Sequence, residues 1–127
     1  MDSVESIVVF FANDNDKEKC IHELSQNSNL YLAEVSKYSL EIFSVEAGKD
    51  KALMKLAKSL NLKMEEIISV GDSGNDIAMT KVSGLGLSTS NGSETLKQVA
   101  DTIICSNQEH VVRYVAEEYF DVNQCVK

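Results

Sequence analysis

Residues 67–76, Ile-Ile-Ser-Val-Gly-Asp-Ser-Gly-Asn-Asp, constrain the fold more than any other stretch of the chain. A β-branched run ends in Gly71 and Asp72, a tight polar turn follows, and Ile77-Ala78-Met79 resumes an apolar pattern. That order predicts a buried strand, a loop and the first turn of a helix. Gly71 and Gly74 are expected to supply backbone conformations closed to other residues. Asp72 and Asp76 then face one space at the carboxyl end of the strand, where open α/β sheets bind their ligands. Paired carboxylates suit a hard cation such as Mg²⁺, which takes oxygen ligands. Free amides at a helix start suit a phosphate. Asp, Ser, Gly and Asn are also ordinary turn and cap residues, so Asn75 or Asp76 acting as a helix cap is the competing expectation.

The flanking sequence carries the decision. Residues 7–11, Ile-Val-Val-Phe-Phe, read as a strand covered on both faces. A helix is expected over about residues 17–26, capped by Asn15 with Glu18 reaching back. Residues 30–35 and 40–45 read as strands, and Lys37-Tyr38-Ser39 between them is short enough for a hairpin. The first third is therefore β-α-β-β.

From Glu46-Ala47-Gly48 onward, strands and helices alternate. A helix over about residues 49–60 places Ala52, Leu53, Leu56, Ala57 and Leu60 on one face. The strand 67–70 comes next, then a helix over about 76–82 with Gly84 as its stop. A strand at 85–88, a helix over about 94–100 capped by Ser93 and a strand at 102–105 follow. A last helix covers about 109–120, with Val111, Val112, Val115 and Tyr119 inward. Strict alternation means right-handed crossovers and a parallel sheet, hence an α/β fold.

Composition narrows the class. At 127 residues the chain has one domain's length, and a net charge of −8 argues against nucleic acid and anionic membrane surfaces as partners. No stretch reaches a transmembrane length, and no basic region precedes the first apolar run as a secretory signal requires. Cys20, Cys105 and Cys125 are odd in number and widely spaced; Cys20 and Cys105 lie in apolar patterns, as expected of buried, reduced thiols in a cytoplasmic protein. His22 and His110 have no companions at ligand spacing, which argues against structural zinc.

Lys49 opens a helix, where a cation opposes the macrodipole and Asp50 offsets part of the cost. A solvated lysine is the ordinary reading. Standing 23 residues before Asp72, with one helix and one strand between, it also reads as an anion-binding lysine near the sheet's carboxyl edge.

Taken together, Lys49-Asp50-Lys51-Ala52-Leu53, Val70-Gly71-Asp72-Ser73-Gly74-Asn75-Asp76, Gly84-Leu85-Gly86-Leu87 and Ser90-Asn91-Gly92 resemble the haloacid dehalogenase superfamily, and within it the Cof-type sugar-phosphate phosphatases with a C2 cap. The resemblance implies a parallel Rossmann-like core sheet with flanking helices over residues 47–127. It implies a partial α+β cap over residues 1–46, with Leu40-Glu41-Ile42 as the strand returning to the core. By the same resemblance Lys49 is the catalytic lysine that neutralises nucleophile and substrate phosphate, and Asp72 is a Mg²⁺ ligand. Asp76 is the acid that holds the metal shell, Asn75 contacts phosphate, and Asn91 borders the site.

The resembled family also carries an Asp-x-Asp-Gly-Thr nucleophile motif and a second-motif Ser or Thr, and neither lies upstream of the cap-like segment. Asp14-Asn15-Asp16 is a weak substitute, because Lys17-Glu18 replaces Gly-Thr and Asp14 lies beyond the strand's end. Two function classes remain. One is the C-terminal part of a Mg²⁺-dependent phosphohydrolase acting on small phosphorylated metabolites, inactive as this chain alone. The other is a non-catalytic homologue that binds phosphate or Mg²⁺ or serves as a partner subunit. In the resembled fold the missing strand lies beside residues 67–70, so that edge is expected to be open. The expected consequence is self-association, aggregation, or a rearranged strand such as 7–11 filling the gap.

Overall fold

The computed structural model describes residues 6–120, so Cys125 lies outside the described residues. Strand β1 (Ser6–Phe10) leads into helix α1 (Asp14–Leu24). The helix begins three residues earlier than expected, because its cap is Asn13 rather than Asn15: Asn13 Oδ1 accepts from Asp16 N at 2.9 Å. Strands β2 (Leu30–Ser36) and β3 (Ser39–Ser44) form the expected hairpin, with a register irregularity between Glu34 and Ser36. The sheet order is β1-β3-β2, all antiparallel. β1 is thus an edge strand, and the expectation that it is covered on both faces is not met. Among the described residues only β3 pairs with it, and Phe10 is 78% exposed.

One buried charge braces this sheet. Lys17, with a side chain only 7% exposed, donates to the carbonyls of Ser36 (2.9 Å) and Lys37 (3.1 Å) and pairs with Glu34 at 2.7 Å. An ammonium has three donors, and all three are used, which is what makes its burial tolerable.

A 3-10 turn at Val45–Ala47 leads into helix α2 (Lys49–Ser59). After it come strand β4 (Ile68–Gly71), a 3-10 turn at Gly74–Asp76, helix α3 (Ile77–Val82) and strand β5 (Leu85–Thr89). Helix α4 (Glu94–Lys97), strand β6 (Thr102–Ile104) and helix α5 (Val111–Tyr119) complete the described chain. Ser93 caps α4 as expected, its Oγ accepting from Leu96 N. The second sheet runs β4-β5-β6, all parallel, which is the expected α/β core. Leu87 and Leu96 are fully buried in it, and Leu40 is fully buried under the antiparallel sheet.

Two helix faces differ from the sequence expectation. On α2, Ala57 is buried and Leu53 half-buried, whereas Ala52, Leu56 and Leu60 are exposed. α2 packs on α3 along the Leu53/Ala57 side, and the apolar stripe is wider than that contact. On α5, Val111 and Val115 are half-buried, but Val112 is 85% exposed and Tyr119 is also exposed. Val112 lies beside Val70 of β4, which pairs with β5 on one side and with no described strand on the other. β1 does not fill that edge; it stays in the antiparallel sheet.

Candidate functional site

Gly71 closes β4, and the chain must turn at once under the carboxylate of Asp76, five residues on. Neither Gly71 nor Gly74 has a positive φ, so the expectation of special backbone angles is not met. Space is the reason for both glycines. A Cβ on Gly71 would stand 2.5 Å from Asp76 Cβ, and one on Gly74 would stand 2.2 Å from the carbonyl oxygen of Glu34 in β2. The loop is thus pressed between its own carboxylate and the antiparallel sheet.

Asp76 is buried and uses its two oxygens differently. Oδ2 accepts from the backbone N–H of Asp72 (2.9 Å) and of Ser73 (3.2 Å), and Oδ1 pairs with the Lys49 ammonium. Asp76 stands at the start of α3 but makes no side-chain cap bond to that helix; its carboxylate instead closes a capping box on the 3-10 turn before it, accepting from Ser73 N. Burial pushes the Asp76 carboxyl up, but the Lys49 ammonium and the two amides outweigh it and hold it below the ordinary aspartate range. Thr80 Oγ1 donates to the Asp76 carbonyl at 2.8 Å and fixes the backbone behind it.

Asn75 sits beside this pair. Its Oδ1 accepts from Lys49 Nζ at 3.4 Å and from Ser73 Oγ at 2.6 Å. Asp72 is exposed, its carboxylate engaged by no described residue, and it lines a cavity of about 830 Å³ together with Lys49, Gly71 and Asp76. The 90–93 loop holds the backbone there: Ser93 N donates to the Asp72 carbonyl at 2.9 Å. The fold therefore brings Lys49, Asp72, Asn75 and Asp76 together at the carboxyl end of β4. Asn91 stands apart from them. Its Oδ1 accepts from Asn107 N at 3.0 Å, and Asn107 is the residue of that pair that lines the cavity.

Lining residues that sequence reasoning missed include Thr89, Asn107, His110 and Arg113. Thr89 Oγ1 is buried with no hydrogen-bond partner among the described residues, and His110 has φ 55° at the start of α5. No local pattern announces these residues, since only the sheet order brings β5 and α5 to this place. Glu41 was also missed: it accepts from Asn75 Nδ2 at 3.3 Å. A lone carboxylate between Leu40 and Ile42 in an apolar strand was the available signal.

As a metal centre the donor set is sparse. Among the described residues no three acidic, His or Cys side chains cluster to hold an ion. Asp72 offers a free carboxylate, and Asp76 stands behind it already engaged by the ammonium and two amides. That fits a cation that keeps most of its water and takes one or two protein carboxylates, as Mg²⁺ does.

A family model for haloacid dehalogenase-like hydrolases matches residues 2–115. Phosphatase YwpJ of Bacillus subtilis (strain 168) is 38% identical over 87 residues, which are 68% of this chain and 30% of that protein. The 5-amino-6-(5-phospho-D-ribitylamino)uracil phosphatase YcsE of the same organism is 34% identical over 97 residues, 76% of this chain and 39% of that one. The solved structure of a haloacid dehalogenase-like hydrolase from B. subtilis superposes with a TM-score of 0.86 at 31% identity, covering 91% of this chain and 41% of that chain. The chain thus spans well under half the length of these relatives. The match runs over nearly the whole sequence and includes the loop that carries Asp72 and Asp76, and by it the chain belongs to the haloacid dehalogenase-like hydrolase family.

Proposed function

We propose that this chain is the C-terminal portion of a Mg²⁺-dependent phosphohydrolase of the Cof type, acting on small phosphomonoesters such as sugar phosphates in the cytoplasm. Residues 1–46 are the returning half of a cap, and residues 47–127 are the later half of the catalytic core. The observation that carries the reading is the meeting of Lys49, Asn75 and Asp76 beside the free carboxylate of Asp72 at the end of β4.

In this reading a phosphoryl group rests against the Lys49 ammonium, which offsets its charge in a site that needs no reorganisation at the moment of reaction. Asp76 keeps the ammonium in place and ties it to the loop backbone. Asn75 adds an amide N–H to the anion. Asp72 would hold Mg²⁺, which when bound supplies Lewis-acid stabilisation of phosphoryl oxygens. Of the two described carboxylates that line the larger cavity, Asp76 is taken by the Lys49 ammonium and Asp72 by the metal role, which leaves neither as the nucleophile. Asp14, the one sequence substitute, starts α1, pairs with Lys37 at 3.8 Å and lines a separate cavity that Lys49 does not line. In this reading the described residues bind phosphate, and turnover needs a nucleophile from outside them.

The test is calorimetric titration with inorganic phosphate and with Mg²⁺. Phosphate affinity is expected to fall by about tenfold or more in Lys49→Met, and weak Mg²⁺ binding to be lost in Asp72→Asn. Phosphate binding that ignores Lys49, or Mg²⁺ binding equal in Asp72→Asn, overturns the assignment.

A further inference from the structure

A second cavity, of about 420 Å³, lies at the seam between the two sheets and is lined by Ser6, Glu41, Phe43, Ala47, Lys49 and Asn75. Lys49 lines this cavity and the larger one, so its ammonium belongs to the wall between them. The group across the seam is Glu41, on β3, half-buried and not among the residues assigned a role so far.

The chemistry of the contact is directional. The Glu41 carboxylate can only accept and the Lys49 ammonium can only donate. Asn75 stands between them, its Nδ2 at 3.3 Å from Glu41 Oε2 and its Oδ1 at 3.4 Å from Lys49 Nζ. A flipped amide would set its NH₂ against the ammonium and its carbonyl against the carboxylate. Anion on one side and cation on the other therefore admit one orientation only. In that orientation Glu41 takes one N–H of Nδ2, and the second N–H is unspent among the described residues, while Asn75 and Lys49 both line this smaller cavity. The Glu34 carbonyl lies so close to Gly74 that a Cβ there would come within 2.2 Å of its oxygen.

We infer that Glu41 is a positioning residue: by fixing the amide of Asn75, it presents the second N–H to an anion held beside Lys49, and so couples the antiparallel sheet to phosphate binding. The inference rests on the phosphate-site reading above. It also makes an unusual sign prediction. Replacing Glu41 by Gln removes a negative charge near a phosphate, and simple electrostatics would strengthen binding. Positioning demands the opposite, because a Gln amide accepts Asn75 in either orientation.

The experiment is titration of the full chain with inorganic phosphate in wild type, Glu41→Gln, Asn75→Ala and the double variant, with the Asn75 side-chain amide followed by ¹⁵N NMR. Glu41→Gln is expected to weaken phosphate binding about three- to tenfold and to narrow the separation of the two Asn75 Nδ2 proton shifts. In the Asn75→Ala background the same substitution is expected to change affinity by less than about twofold. Equal or tighter binding in Glu41→Gln, or an undiminished loss without Asn75, overturns the inference while leaving the phosphate site standing. Phosphate that fails to bind wild type, or binds Lys49→Met equally well, overturns the functional reading and this inference with it.

Discussion

Gly74→Ala is the sharpest probe of how the two sheets meet. The added Cβ would sit 2.2 Å from the Glu34 carbonyl oxygen and 3.2 Å from its carbon, both backbone atoms. Neither can rotate away, so β2 or the 73–76 loop must shift. Overpacking of this kind costs about 1–3 kcal/mol. Gly74 has no positive φ, so alanine adopts its backbone angles and the reduced freedom of the unfolded chain returns about 0.4–1 kcal/mol. The net is a loss of about 1–2 kcal/mol, a five- to thirtyfold fall in the folded-to-unfolded ratio. Gly48→Ala is the matched control. Its Cβ would come within 2.4 Å of Asp50 Oδ1, but that is the tip of a flexible side chain. Only the cap preference for glycine over alanine opposes it, at about 0.5 kcal/mol. Urea denaturation with unchanged slope should therefore show a clearly lower midpoint for Gly74→Ala than for Gly48→Ala. A Gly74→Ala protein as stable as the control would mean that Glu34 does not press on the loop, and the seam argument would fall.

The Asp76 carboxyl titrates below its ordinary value in the folded state, so its stabilisation is present above the unfolded aspartate range near about 3.9 and is lost as pH falls through the folded value. Asp76→Asn should accordingly lower the urea midpoint near neutral pH and flatten its decline between neutral and acid pH; a wild-type acid slope kept in the variant would refute the assignment. The open edge of β4 is bordered by Val70, Val111, Val112, Val115, Ala116 and Phe120, which line an apolar cavity of about 260 Å³. Self-association through this edge is expected in sedimentation at rising concentration, weakened by about tenfold in Val112→Lys, whose side chain is already exposed and so spares the fold. A monomer at all concentrations would remove the edge as an interface.

Much of this molecule was legible because its strongest signals are local. Ile67 to Asp76 is a strand, a glycine turn and a helix start in consecutive residues, and the fold places them so. The alternation after Gly48 gave the parallel sheet for the same reason. The cap of α1 was misplaced because Asn13 and Asn15 are chemically equivalent candidates, and only the actual turn geometry selects Asn13. Leu56, Leu60 and Val112 were assigned inward because periodicity reports which face is apolar, not whether a neighbour exists to cover it. The role of Gly74 was misread because a glycine chosen for contact with a distant strand looks identical in sequence to one chosen for its backbone angles. Glu41 lies 34 residues from Asn75, and no short-range pattern joins them.

The proposed function has a phosphate held by this chain with no described group left to attack it. Release of p-nitrophenol from p-nitrophenyl phosphate by the isolated chain, in the presence of Mg²⁺, tests that directly. The account expects no turnover above the uncatalysed rate from a preparation that binds inorganic phosphate through Lys49. Turnover that survives repeated purification and disappears in Asp14→Asn would contradict it, and would make the Asp14 segment the nucleophile that the geometry places elsewhere.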